Sequence, residues 1–325
     1  METATVTLIL APMEGLVDPQ MRKLLTAIGG IDRCVTEFIR VNDQTLPAKM
    51  LHRLAPELHN QGRTASGVPV SIQLLGSNPE TLSEAALLAV ELGAPAIDLN
   101  FGCPSKTVNK NKGGSVLLKE PDIIHKVVKA VRESVPSHIP VTAKMRLGYE
   151  DKSLALENAH AIESAGANEV CVHARTKLEG YRRPAHWEWI ARIREAVKIK
   201  VIANGDICSL EDYRKCRSVS GCDDVMIGRG LIAWPDLALV IASHNSATAY
   251  SPMTWDQLFP ILQVFYEEVR KRLPAKHSPG RLKQWLVFLK QHYPEAQELF
   301  DQIRSMADPD LIQAVLSPPP MKKAG

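Results

Sequence analysis

The stretch Ala96-Ile97-Asp98-Leu99-Asn100-Phe101-Gly102-Cys103-Pro104-Ser105-Lys106 begins with apolar residues alternating with Asp98 and Asn100, then breaks at a glycine, a cysteine and a proline. Alternation is the period of a strand, and the glycine and proline mark the turn that ends it. A strand end therefore delivers a thiol to a loop, with Asp98 and Asn100 together on one face behind it. A free cysteine is most often a small buried hydrophobe. The other strand ends give this one a chemical setting: Pro12-Met13-Glu14, Gln73, Lys144 with Arg146, His173 with Arg175, Asn204-Gly205-Asp206 and Gly228-Arg229-Gly230. Residues two apart on a strand face the same way, so each pair presents both of its groups to one side. The last two clusters suit a phosphate, through close-approach glycines, a guanidinium and a helix opened by Ser209 with Asp212 three residues on. Lys144 and His173 then face whatever carries that phosphate.

So many groups on one rim require parallel strands with helical returns. Apolar runs rich in β-formers recur at 6–10, 33–38, 69–75, 96–100, 141–146, 169–173, 200–204 and 224–228, and helical periodicity fills 81–92, 122–135, 154–165, 187–197 and 210–216. Eight successive βα units predict a (β/α)8 TIM barrel over residues 1–245. The rival is a doubly wound open sheet, which concentrates its polar residues at one crevice. Here they end every strand, as at a barrel mouth.

Ser243 to Pro252 is small and polar and reads as a linker. A small all-helical domain is expected over 246–316, beginning with a Thr254–Gln257 capping box and the stripe Leu258, Ile261, Leu262, Phe265, Val269, with Pro260 expected to kink its first turns. Ser278-Pro279 opens a second helix with the stripe Leu282, Trp285, Leu286, Leu289, and 317–325 is expected to be a disordered tail. Composition is that of an ordinary globular chain, 45% hydrophobic and 23% charged. No apolar run approaches the roughly 18 residues of a membrane span, so a cytoplasmic protein is expected. Six cysteines without a CxxC pair argue against a zinc site or a disulfide framework.

The strings APMEG, TEF, SIQLLG, DLNFGCPSKTVNKNKGG, KMRLG, VHART, VIANGDI and MIGRG occur in that order. Together they resemble the tRNA-dihydrouridine synthase family across the barrel and, more loosely, the helical region. The NxGCP loop with KTV and a downstream glycine pair is the specific part. TEFIRVNDQTLP and RLKQWLVFLK look most like the bacterial C-type enzymes, which act on the uridine at position 16 of the tRNA D-loop.

The resemblance implies an FMN enzyme that takes hydride from NADPH and reduces the C5–C6 double bond of a uridine. It implies that Pro12, Met13 and Glu14 line the flavin, that Gln73 bonds its pyrimidine edge, and that Lys144 sits near its N1/O2 edge. His173 would complete the pocket, with Asn204, Gly205, Asp206, Gly228 and Arg229 at the ribityl and phosphate end. Cys103 would be the general acid: hydride at C6 calls for a proton at C5, and a thiol of pKa about 8.5 keeps its proton at neutral pH. Asn100, with Arg146 and Arg175, would bind the uracil edge or nearby phosphates, and Phe101, the variable residue of NxGCP, would pack.

A tRNA substrate needs a basic surface. Between residues 269 and 294 stand Arg270, Lys271, Arg272, Lys276, Arg281, Lys283 and Lys290 with no acid among them. Arg272, Arg281 and Lys283 are expected to contact tRNA phosphates, and Lys106, Lys110 and Lys112 to extend the positive surface toward the thiol. The interleaved Trp285, Phe288 and Tyr293 are expected in the core. Three other readings remain open at this point: a flavoprotein acting on free pyrimidines, as in dihydroorotate-type barrels; an aldolase with Lys144 as its Schiff-base lysine; and a non-catalytic RNA-binding protein. No metal and no protein partner is expected.

Overall fold

A computed structural model describes residues 6–42 and 46–317. Beyond Ser317, the expected tail lies outside the described residues. The strands are β1 (Leu8–Leu10), β2 (Arg33–Val35), β3 (Ile39–Arg40), β4 (Val70–Leu75), β5 (Ile97–Phe101), β6 (Val141–Arg146), β7 (Glu169–His173), β8 (Lys200–Asn204) and β9 (Val225–Ile227). They run in parallel in the order β2-β1-β9-β8-β7-β6-β5-β4-β3, and a further β2–β4 pairing closes the barrel. It is the expected TIM barrel.

One strand departs from expectation. The run 33–38 is interrupted, because Val35 pairs with Ser71 whereas Ile39 pairs with Leu74, leaving one extra residue on the β2–β3 side. Such an insertion is a β-bulge. Here the Thr36 side-chain oxygen accepts the Gln73 N–H at 2.9 Å in place of a ladder carbonyl. Past the bulge, Phe38 lines the barrel mouth.

The helical returns are α1 (Pro19–Ile28), α2 (Ala48–Leu54), α3 (Pro79–Glu91), α4 (Lys106–Lys110), α5 (Pro121–Ser134), α6 (Ala155–Ser164), α7 (Trp187–Ala196), α8 (Leu210–Ser220), α9 (Arg229–Ala233) and α10 (Leu237–Ser246). In α5, Pro121 opens the helix and Ile124, Val127, Val128 and Val131 form the buried stripe. Ser209 caps α8 by accepting the Asp212 N–H at 3.0 Å, but the Asp212 carboxylate reaches the Cys208 N–H rather than completing a reciprocal box. The helix continues past residue 216 until Gly221 ends it at φ 68°.

The expected linker is shorter than the composition suggests, since α10 runs to Ser246. It is followed by α11 (Trp255–Arg272), α12 (Ser278–Leu289), α13 (Pro294–Ile303) and α14 (Pro309–Leu316). These four helices share the barrel's outer core rather than forming one of their own, with Leu262, Phe265, Trp285 and Leu286 in the same buried cluster as the strand–helix layer. The Trp285 indole donates to the Ile232 carbonyl at 3.1 Å. Inside the barrel, Ile9, Val35, Cys171, Ile202 and Met226 form a separate apolar plug, the floor on which the mouth is built. Among the described residues no helix is long and apolar enough to cross a membrane.

Candidate active site

A cavity of about 520 Å³ opens at the C-terminal ends of the strands, inside the range of roughly 300–1,000 Å³ usual for small-molecule sites. Pro12, Met13, Glu14, Gln73, Asn100, Cys103, Lys144, Arg146, His173, Asn204, Gly205, Asp206, Gly228 and Arg229 all line it. Register brings them together: Asn100 is level with Lys144, Arg146 with His173, and His173 with Asn204.

The thiol is clamped by its own loop. Asn100 Oδ1 accepts the N–H groups of Gly102 and Cys103 at 3.0 and 2.9 Å. The Cys103 carbonyl accepts from Asn109 Nδ2 at 2.9 Å and from the Ser115 N–H at 3.1 Å. Gly114, at φ 66°, packs so closely that a Cβ there would lie 2.9 Å from the Cys103 oxygen, so only glycine closes the clamp. Burial pushes the thiol above its ordinary value, with the Ser105 N–H opposing. Cys103 is therefore a protonated, 9% exposed thiol at neutral pH.

Opposite chemistry sits on β6–β8. Lys144 Nζ donates to Asn204 Oδ1 at 3.0 Å, and Asn204 Nδ2 donates to the Met226 carbonyl at 2.7 Å, which fixes the amide with its oxygen toward the lysine. Burial pulls the Lys144 ammonium below the usual lysine value. Burial, reinforced by the charges of Arg146, Lys144, Arg175 and Arg229, keeps the His173 imidazole neutral. Its Nδ1 is buried and has no partner among the described residues. A buried ring nitrogen left unpaired in a cavity wall is a place for a ligand's polar atom.

At the far end, Gly205 and Asp206 take consecutive left-handed conformations, φ 123° and 55°. Gly230 touches the same loop, since a Cβ on it would lie 2.1 Å from the Ile207 oxygen. The glycines thus press the two loops together. The Asp206 carboxylate is paired with Arg175 and, at 3.3 Å, with Arg229. A phosphate here would meet the Arg229 guanidinium and backbone rather than the Asp206 side chain.

Four expected contacts lie elsewhere. Arg175 is fully buried outside the cavity lining, tied to Asp206 and to the Arg182 carbonyl, so it braces the β7 loop. Arg281 donates to the Leu16 carbonyl and to Gln284 Oε1, both at 2.8 Å, fastening α12 to the barrel. Arg272 pairs with Asp18. Lys283 donates to the carbonyls of Arg304 and Met306 at 3.0 and 2.6 Å, closing the end of α13. An acid-free run of sequence is not an acid-free surface, because Asp18 and Asp310 arrive from other elements and Glu268, just before the run on α11, pairs with Lys271. Lys276, Lys106 and Lys110 on α4, and Lys112 just after it do stand exposed.

The cavity also contains groups that the strand-end reading omitted: Phe38, Tyr181, Gln284 and Phe288. Tyr181 lies under Arg229 at 4.6 Å and Arg146 at 5.2 Å, with His173 edge-on at 5.9 Å. Its one sequence cue was an aromatic inside a long, basic βα loop. Gln284 and Phe288 come from α12, and Gln284 Nε2 bonds the Gly15 carbonyl at 2.9 Å; nothing local to them signals a place in the barrel mouth.

A family model described as Dihydrouridine synthase (Dus) matches residues 9–314. The chain belongs to that family. It is 55% identical over 299 residues to a tRNA-dihydrouridine(16) synthase of Pseudomonas putida, covering 92% of this chain and 93% of the relative. With the protein of that name from Neisseria meningitidis serogroup B it shares 49% over 311 residues, 95% and 93% of the two chains. A solved 2-naphthoyl-CoA reductase complex is similar in fold, with a TM-score of 0.56 at 13% identity over 74% of this chain and 50% of that one. Membership makes this chain an oxidoreductase of the dihydrouridine synthase family and sets aside the aldolase, free-pyrimidine and non-catalytic readings. In the family's NxGCP loop, Asn100 and Cys103 are here the clamp and the clamped thiol, and Phe101, 1% exposed, packs in the outer core.

Proposed function

We propose that this enzyme reduces the uridine at position 16 of tRNA to 5,6-dihydrouridine, with FMN in the barrel mouth and NADPH as reductant, in the cytoplasm. The observation that carries the reading is a protonated, backbone-clamped thiol in one cavity with a buried lysine and a neutral histidine. The barrel, 1–245, is the catalytic part, and the helices over 246–316 are assigned to tRNA.

The residues fit FMN. The Lys144 ammonium and the Arg229 guanidinium give donors suited to an electron-rich ring and a phosphate, and the His173 Nδ1, without a partner among the described residues, offers a ring nitrogen beside them. Pro12, Met13, Glu14 and Gln73 would line the ring; Asn204, Gly205, Asp206 and Gly228 would complete the phosphate end. FMN held there would supply the hydride for C6 of the uracil, with NADPH as the source of its electrons. Lys144 places its positive charge where negative charge accumulates. Cys103 gives its proton to C5: the S–H bond breaks as the C5–H bond forms, and the thiolate left behind is reprotonated from solvent. Asn100 and Arg146 stand beside the thiol to hold the base.

The exposed lysines Lys106, Lys110, Lys112 and Lys276 supply phosphate contacts. Arg272 contributes by its exposed part alone, and Arg281 and Lys283 act indirectly by holding α12 and α13 in place. For the Cys103→Ala variant, FMN and tRNA binding should persist while dihydrouridine formation falls by about 10²-fold or more. Undiminished turnover would refute the proton-donor role, and purified protein without flavin absorbance, even after FMN is added, would refute the cofactor. Mapping dihydrouridine in tRNA from a strain lacking the gene tests the position.

A further inference from the structure

Behind the thiol loop lies a chain of side chains whose polarity is set deep inside the barrel. Asp98, 2% exposed, accepts from Thr142 Oγ1 at 2.5 Å and from Gln73 Nε2 at 2.7 Å. Burial raises its pKa, and those two hydrogen bonds, with the Lys144 and Arg33 charges, oppose the rise. Gln73 Oε1 in turn accepts from Asn100 Nδ2 at 2.7 Å, and Asn100 Oδ1 accepts from the N–H groups of Gly102 and Cys103. Gln73 and Asn100 are amides, which present either a donor or an acceptor in a given direction with almost the same shape. The two ends remove the ambiguity together: the Gly102 and Cys103 N–H groups can only donate, and the Asp98 carboxylate, which accepts from Thr142 and Gln73, is the acceptor that matches them at the buried end. Were Gln73 to flip, its oxygen would face the Asp98 carboxylate; were Asn100 to follow, its NH₂ would face two backbone N–H groups.

We propose that Asp98 is a positioning residue for Cys103, acting as the acceptor that orients the Gln73–Asn100 relay and so holds the Gly102–Cys103 backbone in one conformation. The proposal rests on the reading of Cys103 as proton donor for its catalytic consequence, though not for its structural one. The carboxylate does not itself line the cavity; it meets the lining through Gln73. It acts through two amides.

The test exchanges carboxylate and amide along the relay. Asp98→Asn gives the buried end a donor as well as an acceptor, so the flipped relay becomes accessible and the Gly102 and Cys103 N–H groups lose their fixed acceptor. Hydrogen exchange in the peptide spanning residues 100–104 should quicken by roughly tenfold or more, with faster alkylation of Cys103 and a lower kcat at little changed KM for tRNA. In the double variant Asp98→Asn with Asn100→Asp, the relay is satisfied in reverse. The amide introduced at position 98 donates to Gln73 Oε1, and Gln73 Nε2 donates to the carboxylate introduced at position 100. That carboxylate accepts from the two backbone N–H groups. Exchange and alkylation should then return to within about twofold of the native rates. Protection unchanged in Asp98→Asn would overturn the proposal, as would failure of the double variant to restore it. If the single variant does not fold, the double variant should, and its failure too would be decisive against the relay. Cys103→Ala run alongside separates the two readings: activity surviving there removes the proton donor, while the exchange rates still judge the relay.

Discussion

Two titratable side chains determine what the site can do, and burial moves both. The Cys103 thiol is pushed up, so its acid form persists through neutral pH and is lost only as pH rises through the raised value. Proton transfer should accordingly be flat through neutral pH and fall only above the ordinary thiol range, as read by single-turnover dihydrouridine formation with the flavin already reduced. A decline centred near pH 7, well below an ordinary thiol at about 8.5, would assign it to another group. Lys144 is pulled down by the same burial, and Lys144→Met should slow NADPH-driven flavin reduction by about 10²-fold, the usual scale for losing one charge-stabilising donor. Stopped-flow bleaching of the flavin measures it. At this scale the sequence was readable where chemistry is written into neighbours two or three apart on a strand, as for Asn100 with Cys103 and Lys144 with Arg146. It misled where a cation's partner comes from a distant element, as Arg175 finds Asp206 and Arg281 finds Leu16.

Among the elements, the segment joining β1 to α1 carries the most responsibility. Its early residues line the cavity, and Asp18 at its end caps α1 by accepting the Met21 N–H at 2.9 Å. The same carboxylate faces Arg272 and Arg281. Burial raises its pKa, but those two guanidiniums and the Met21 N–H more than offset it and hold the carboxyl below the usual range. Because the folded value is depressed, the stabilisation is present above the unfolded carboxylate pKa and disappears as pH falls through the folded one. Asp18→Ala should lower stability by about 2–4 kcal/mol, combining a lost cap with a half-orphaned buried arginine, and should flatten the acid limb of the stability–pH curve followed by chemical denaturation. Element type and order were legible because strand and helix periods alternate cleanly from 69 to 228. The break at Thr36 was not, since it depends on a hydroxyl replacing a ladder carbonyl from the neighbouring strand, and the linker was overdrawn because Ser243 to Ser246 still complete a helical turn.

Across the whole molecule, a formal charge of +3 conceals an uneven surface. Most cations of α11 and α12 are neutralised or buried, whereas Lys106, Lys110 and Lys112 are exposed on and just after α4, which follows the thiol. Reversing these three to glutamate should weaken tRNA binding by about 10-fold or more at about 0.1 M salt and reduce the salt dependence by roughly three phosphate contacts, leaving flavin reduction by NADPH intact; filter binding across a salt series reads both. Closure of the barrel has a further consequence, for the order in which the chain is assembled. Leu8 pairs with Val225, and the Asp224 carboxylate accepts the Thr7 N–H at 2.9 Å. During synthesis the first strand must therefore wait, with one edge open, until some 220 later residues have emerged, and the wall supplied by Gln284 and Phe288 comes later still. The mouth is among the last parts of the molecule to be completed, so nascent chains stalled before α12 carry the thiol but not the finished cavity around it.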